Sequence, residues 1–184
     1  MEFSPNEVQR MLQASAASFA ADRAGAVRSR FGSGAAEPGA DWTAMADLGW
    51  LAFQLPEEDG GIDGGPLEAM ILCESLGRIA SLEPFLGTAV LGARAVVRHG
   101  TAAQQRALFP RLAGGALRVA WVCDGDDPGE DAARLAIRAV RVDGGFVLDG
   151  QQRCVFDGAG ADCLLVAARI EGAPDDAIGW FLVD

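Results

Sequence analysis

Residues 49–65 read Gly49-Trp50-Leu51-Ala52-Phe53-Gln54-Leu55-Pro56-Glu57-Glu58-Asp59-Gly60-Gly61-Ile62-Asp63-Gly64-Gly65, and the rest of the chain is organised about them. Trp50 to Leu55 is an apolar run too short for a stable helix, and Pro56 stops it. The acidic residues Glu57 to Asp59 then meet two Gly-Gly pairs able to take positive φ. The pattern predicts a buried strap leading into a sharp turn. Before it, Trp42, Met45 and Leu48 recur at helical spacing, and after it a second helical pattern begins at Pro66. A plain Gly-rich loop between two helices accounts for the same composition.

Working outward, Ser4-Pro5-Asn6-Glu7 reads as a capping box that opens a helix running to about Arg30, with Val8, Met11, Leu12, Ala16 and Phe19 on its core face. The helix from Pro66 places Leu67, Met70, Ile71, Leu76 and Ile79 at helical spacing, a stripe expected to be core. Glu83-Pro84 starts a further helix through Phe85, Leu86, Val90, Leu91 and Val96 to His99-Gly100. Gly87 and Gly92 inside it each cost about 1 kcal/mol relative to Ala, which points to close helix packing or, equally, to room for a bulky substrate. Thr101 with Gln104 is a second capping box, and Gly114-Gly115 ends its helix.

From Leu117 the pattern changes. Apolar residues come in short runs, Val119 to Cys123, Leu135 to Val142, Phe146 to Leu148, Cys163 to Ala167 and Ile178 to Val183, and Asp143-Gly144-Gly145 is a hairpin signal. A helical domain over 1–116 followed by a β domain over 117–184 is expected.

The chain has 184 residues with a net charge of -11, which disfavours nucleic acid as a partner because phosphates need clustered positive charge. Every basic residue is Arg and none is Lys. No apolar stretch approaches the roughly 20 residues of a membrane span, and Met1-Glu2-Phe3-Ser4 lacks the features of a signal peptide. A cytoplasmic protein is expected. Cys73, Cys123, Cys154 and Cys163 form no CxxC pair and are expected to be reduced and buried; with His99 as the one histidine, no metal site is expected. His99 precedes Gly100 at a helix end, where an imidazole serves the helix dipole.

The order of these residues resembles the N-terminal helical domain of the acyl-CoA dehydrogenases. Trp42, Leu48-Gly49-Trp50-Leu51, Leu55-Pro56-Glu57-Glu58 and Gly60-Gly61 are similar to a recurrent stretch of that family, with Asp59 where Tyr is usual. Three later segments agree in the same order: Glu74-Ser75-Leu76-Gly77-Arg78; Gly100-Thr101 with Gln104-Gln105 and Leu108-Phe109-Pro110-Arg111-Leu112; and Leu148-Asp149-Gly150 through Gly158-Ala159-Gly160-Ala161-Asp162. The resemblance covers most of the chain. It implies an α+β fold, an all-α helical bundle domain followed by a partial antiparallel β-barrel-like domain corresponding to the first part of the family's middle domain. It also implies that the helix pair around Gly87 and Gly92 borders an acyl-chain pocket.

The resemblance further implies FAD as cofactor and an acyl-CoA as substrate. In the family, a Thr-Glu-Pro motif followed by Gly-Ser-Asp meets the flavin and the thioester, and a Trp-Ile-Thr segment covers the ring and offers a hydroxyl near N5. Here Trp121-Val122-Cys123-Asp124-Gly125 stands at the first place, and Gly129-Glu130-Asp131 is loosely similar to Gly-Ser-Asp. Cys154-Val155-Phe156-Asp157-Gly158 stands at the second. The implied cofactor-binding residues are Trp121, Val122, Cys123, Val155 and Phe156, and the implied substrate-binding residue is Glu130. Phe156 has no donor for N5 and Cys154 is a poor cover for a ring, whereas backbone contacts from Val122 and Cys123 do not depend on side chain. Arg94, Arg98 and Arg134 are candidates to offset the acidic balance toward an anionic coenzyme.

The family's catalytic glutamate lies in a C-terminal helical bundle, and no Glu of this chain matches it, so no catalytic residue is assigned. The isolated chain is expected to be inactive, and its last strand to need cover from another chain. Two readings follow: a flavoprotein component for α,β-dehydrogenation of an acyl-CoA, homo- or hetero-oligomeric with a chain supplying the bundle, or a non-catalytic scaffold or partner subunit without flavin.

Overall fold

The computed structural model describes residues 4–33, 41–123, 135–173 and 177–184. The chain divides into two compact units, Met1–Ala116 and Leu117–Asp184.

The first unit is helical. Helix α1 spans Glu7–Ser33. Its cap is Asn6, not Ser4: the Gln9 amide donates to Asn6 Oδ1 at 2.8 Å, and Asn6 N–H donates to Gln9 Oε1 at 3.0 Å. Asn and Gln three apart satisfy the same two orphan donors that Ser and Glu were expected to satisfy. Ala16 and Phe19 are buried, but Met11 is 67% exposed and Val8 is also exposed. Met11 lies about 100° around the helix from Leu12, which packs on the core, and Val8 sits in the first turn.

Helix α2 (Trp42–Asp47) leads to Gly49, whose φ of 74° turns the chain into a 3-10 turn over Trp50–Ala52. Trp50 to Leu55 are all 5% exposed or less, so the strap is core. It then folds back on itself. Gly61 N–H donates to Pro56 O, Asp63 N–H to Leu55 O and Gly64 N–H to Phe53 O. The glycines are required by this return: a Cβ on Gly61 would overlap the Leu55 carbonyl, and one on Gly64 would come within 2.7 Å of Phe53 O. Side chains then fasten the strap outward, through Phe19 on Trp50 (ring centroids 4.8 Å apart) and Phe53 stacked on Phe85 (6.2 Å).

Helix α3 (Pro66–Arg78) buries Ile71, Leu72, Leu76 and, just beyond its end, Ile79; Leu67 and Met70 of the expected stripe are exposed instead. The core stripe is thus shifted toward Leu72. Glu68 closes the first turn, accepting from Gly65 N–H and from the Gln9 side chain, both at 2.8 Å. Burial pushes its carboxyl upward, but the bonds from Gln9 and from the Gly65 and Glu68 backbone outweigh it, and the net shift is downward.

The helix expected from Glu83 runs unbroken from Phe85 to His99 but is not α throughout: a π segment over Leu86–Gly92 passes directly into α4, Ala93–His99. Leu86 and Leu91 are exposed, while Thr88, Ala89 and Gly92 face inward. Helix α5 (Ala102–Ala113) has the Thr101–Gln104 box, with Gln104 N–H donating to Thr101 Oγ1 at 3.3 Å and Thr101 N–H to Gln104 Oε1 at 2.8 Å. Trp42 Nε1 donates to Gly115 O at 2.9 Å, tying the end of the unit to the start of α2.

The second unit is a five-stranded sheet of β1 (Val119–Val122), β2 (Arg138–Val142), β3 (Gly145–Asp149), β4 (Cys163–Ile170) and β5 (Ile178–Val183). Strand β4 is central. Antiparallel pairing holds for the β2–β3 hairpin and for β4–β5, but β4 runs parallel to both β1 and β2. The sheet is therefore mixed and open. Its hairpin turns at Asp143-Gly144, with Gly144 at φ 87°.

Candidate functional site

Residues paired across strands share a face, and successive residues alternate. Trp121 pairs with Leu165, Leu165 with Leu182, and Ala167 with Trp180, so both tryptophans lie on one face of the sheet. Their rings are 4.3 Å apart and tilted at 45°. Val122 points to the other face, where it is buried. Side chains of Trp121 and Val122 therefore do not meet on one surface, and a flat ring cannot rest on both. Cys123 follows the strand's last residue and is exposed.

Val155 and Phe156 belong to a turn that delivers the chain to β4. Cys154 and Asp157, which flank them, both take left-handed backbone, at φ 56° and 59°. Each such non-glycine residue costs roughly 1–2 kcal/mol. Between them Phe156 projects 88% exposed. The turn is locked to β1 beyond that point: Arg118 N–H donates to Asp162 Oδ2 at 2.8 Å, and Asp162 N–H returns to Arg118 O at 2.9 Å. The anchor is at the start of β1 and Cys123 at its far end, so the two candidate stretches attach to opposite ends of one short strand. Partial burial raises the Asp157 carboxyl above its ordinary range.

As a surface for an isoalloxazine ring, Phe156 supplies exposed and Val155 half-buried apolar area, and Cys123 is an exposed residue. None of Cys154, Val155 and Phe156 carries a hydroxyl. The donor set fits an apolar wall with main-chain contacts, without a side-chain donor at N5. Glu130 and Arg134 lie outside the described residues.

Other candidates are placed as follows. His99 is the last residue of α4 and is exposed. Cys163 is buried and Cys73 half-buried, but Cys123 and Cys154 are exposed, against the expectation that all four are buried. Burial pushes the Cys73 thiol upward, away from thiolate reactivity. Each unit carries a cavity among its described residues. One of about 440 Å³ lies against α1 and α2, beside Ser15, Asp22, Arg23 and Asp47; another of about 200 Å³ lies at the end of the sheet, beside Arg138, Arg169 and Glu171.

Two features were not read from the sequence. Gln54 is a polar side chain buried within the strap, and its signal was present as the one polar residue in an apolar run. Of the left-handed residues in the Phe156 turn, Asp157 had a signal in its Asp-Gly pair with Gly158, and Cys154 had none.

The profile described as Acyl-CoA dehydrogenase, N-terminal domain matches residues 6–116, more than half of the chain. The chain belongs to the acyl-CoA dehydrogenase family. Among relatives, the mitochondrial isovaleryl-CoA dehydrogenase of Arabidopsis thaliana is 30% identical over 132 residues, covering 71% of this chain and 32% of that protein. A solved variant of the Tcur3481-Tcur3483 steroid ACAD is 31% identical with a TM-score of 0.82, covering 97% of this chain and 48% of that one. The FAD complex of PigA shares the fold at 21% identity and a TM-score of 0.85, covering 100% of this acyl-CoA dehydrogenase family chain and 49% of that one. The chain spans about a third of the length of the curated relatives it matches. Among the described residues no helix is long and apolar enough to cross a membrane.

Proposed function

We propose that this chain is a component of a cytoplasmic acyl-CoA dehydrogenase-type flavoprotein that removes the α- and β-hydrogens of an acyl-CoA thioester. The supporting observation is the family match across the whole helical unit, continued by similarity to a steroid ACAD over nearly the full chain. In this reading residues 1–116 form the helical wall of the acyl pocket and residues 117–184 the first part of the flavin-bearing β domain. When bound, FAD supplies the N5 acceptor for the β-hydride. This chain's part is to hold and shield the ring. Backbone of Val122 and Cys123 would contact it, Val155 and Phe156 would exclude water from it, Trp121 would back the strand from the opposite face, and Glu130 would meet the substrate. The base that takes the α-proton comes from outside residues 1–184, in an oligomer.

A second reading, a partner subunit without flavin, is favoured by Phe156 and Cys154, which replace the hydroxyl donor and the ring cover. Titration of the protein with FAD, followed by flavin fluorescence, separates the two. The enzyme-component reading expects saturable binding, and Phe156→Thr, which restores a donor, should tighten it by about three- to tenfold. No binding by either protein would overturn that reading and leave the flavin-free subunit.

A further inference from the structure

Gln54 Nε2 donates to Ala89 O and to Val90 O, each at 2.7 Å. Both carbonyls lie in the π-helix Leu86–Gly92. At its end Ala93 N–H donates to Thr88 O, five residues back, whereas by the end of α4 Gly100 N–H donates to Val96 O, four residues back. Where five-residue steps give way to four-residue steps, one carbonyl is passed over by the backbone donors. In an interior position such a carbonyl is costly to leave unmet. The two carbonyls that Gln54 meets are at this changeover, and both protons of its amide are spent on them.

The widened turn decides which side chains face which way. Thr88 and Ala89 are fully buried, while Leu86 is 58% and Leu91 36% exposed. Removing one residue to restore α spacing would rotate one end of the segment against the other by about 100°. That rotation would carry the inward stripe at one end of the segment about a quarter turn out of line with the other.

We propose that Gln54 is a positioning residue that holds the helix one residue wide, and through it sets the shape of the acyl-chain wall formed by Leu86–Gly92. The second half of this statement rests on the acyl-CoA dehydrogenase reading; the first half does not. Gln54 thereby links the strap to the helix that borders the chain of the substrate, so the length of acyl group accepted depends on an amide that never touches it.

The test uses the full chain with Gln54→Met, of similar length but without a donor, and the same variant with Ala89 deleted, which removes the extra residue. Amide hydrogen exchange is read by NMR across residues 86–94, and affinities for butyryl-CoA and octanoyl-CoA by calorimetry. Gln54→Met should speed exchange at Ala93 and Arg94 by on the order of tenfold. Deleting Ala89 in that background should restore protection, because α spacing then needs no external donor. The ratio of the two thioester affinities should change in Gln54→Met and change again in the deletion. Unchanged exchange in Gln54→Met, or a deletion that fails to restore it, overturns the positioning role. Altered and restored exchange, with neither thioester bound by the oligomer that includes the segment supplying the base, keeps that role and removes the acyl-CoA reading. Should Gln54→Met not fold, Gln54→Glu decides: its protonated form regains one donor, so protection at Ala93 and Arg94 must rise as pH falls, and pH-independent protection overturns the proposal.

Discussion

The strap of the helical unit and the turn at Phe156 in the β unit are both short, irregular stretches, and they differ in how far packing fixes them. The strap has glycine at two left-handed positions, Gly49 and Gly60, and where it touches itself at Gly61, with Asp63 (φ 48°) as its left-handed non-glycine residue, and it buries every side chain from Trp50 to Leu55. The turn puts Cys154 and Asp157 in left-handed backbone without glycine and leaves Phe156 in solvent. Packing therefore determines the first stretch. Packing does not determine the second, where Phe156 stands in solvent.

The largest effect is expected where the strap touches itself. Gly61→Ala drives a Cβ into the Leu55 carbonyl, which is backbone and cannot swing aside, and should destabilise the helical unit by about 3 kcal/mol. Urea unfolding followed by helical circular dichroism checks this; a midpoint unchanged from wild type would mean that the strap is looser than described. Next, Thr101→Ala removes the cap of α5 and should cost about 1 kcal/mol in the same measurement. A loss much smaller than that would show water replacing the Thr101 hydroxyl at no cost.

The contrast reverses sign in the β unit. Cys154→Gly relieves a left-handed residue costing about 1–2 kcal/mol, offset by the greater freedom of glycine when unfolded, for a net gain of roughly 0.5 kcal/mol. Destabilisation by this substitution would show that the Cys154 side chain packs in a way its exposure does not suggest.

The sequence carried the helical unit well because glycine, proline and capping residues report backbone events directly. Gly49-Trp50 to Gly64-Gly65, Thr101 with Gln104 and Gly114-Gly115 were readable for that reason. The register of the exposed ends was not: Met11, Leu67 and Met70 are apolar, and only the direction in which α1 and α3 face one another decides that they lie outside. The π-helix was hidden because its extra residue leaves the apolar pattern intact and its key partner, Gln54, is over thirty residues away. In the sheet, run lengths located all five strands, but the parallel pairing of β4 with β1 and β2 is a long-range property with no local signal. At the candidate flavin surface the Asp157-Gly158 pair signals a turn, but the left-handed angle at Cys154 belongs to a residue type that does not announce it.

The smallest expected effect is electrostatic and again opposite in the two units. The Glu68 carboxyl is lowered on folding, so its stabilising contribution is complete above the ordinary carboxylate range and is lost as pH falls through its folded value. Asp157 is raised by burial, so its charged form weighs against the folded β unit above its folded value, and that penalty is relieved as pH falls toward the ordinary range. Acidification from neutrality should first favour the β unit and then weaken the helical one, a sequence that NMR titration of the two carboxyls with residue-resolved exchange would follow. Shifts of the same sign at both groups would break the contrast.

The central claim, that this acyl-CoA dehydrogenase family chain works as a flavoprotein component, is tested most directly by native mass spectrometry of the purified protein. The account predicts an oligomer that carries FAD, with the mass of a further polypeptide or segment supplying the base. Assemblies of the 184-residue chain alone, saturated with FAD in solution yet carrying none, would contradict it and identify a subunit that keeps the family's helical wall without its redox chemistry.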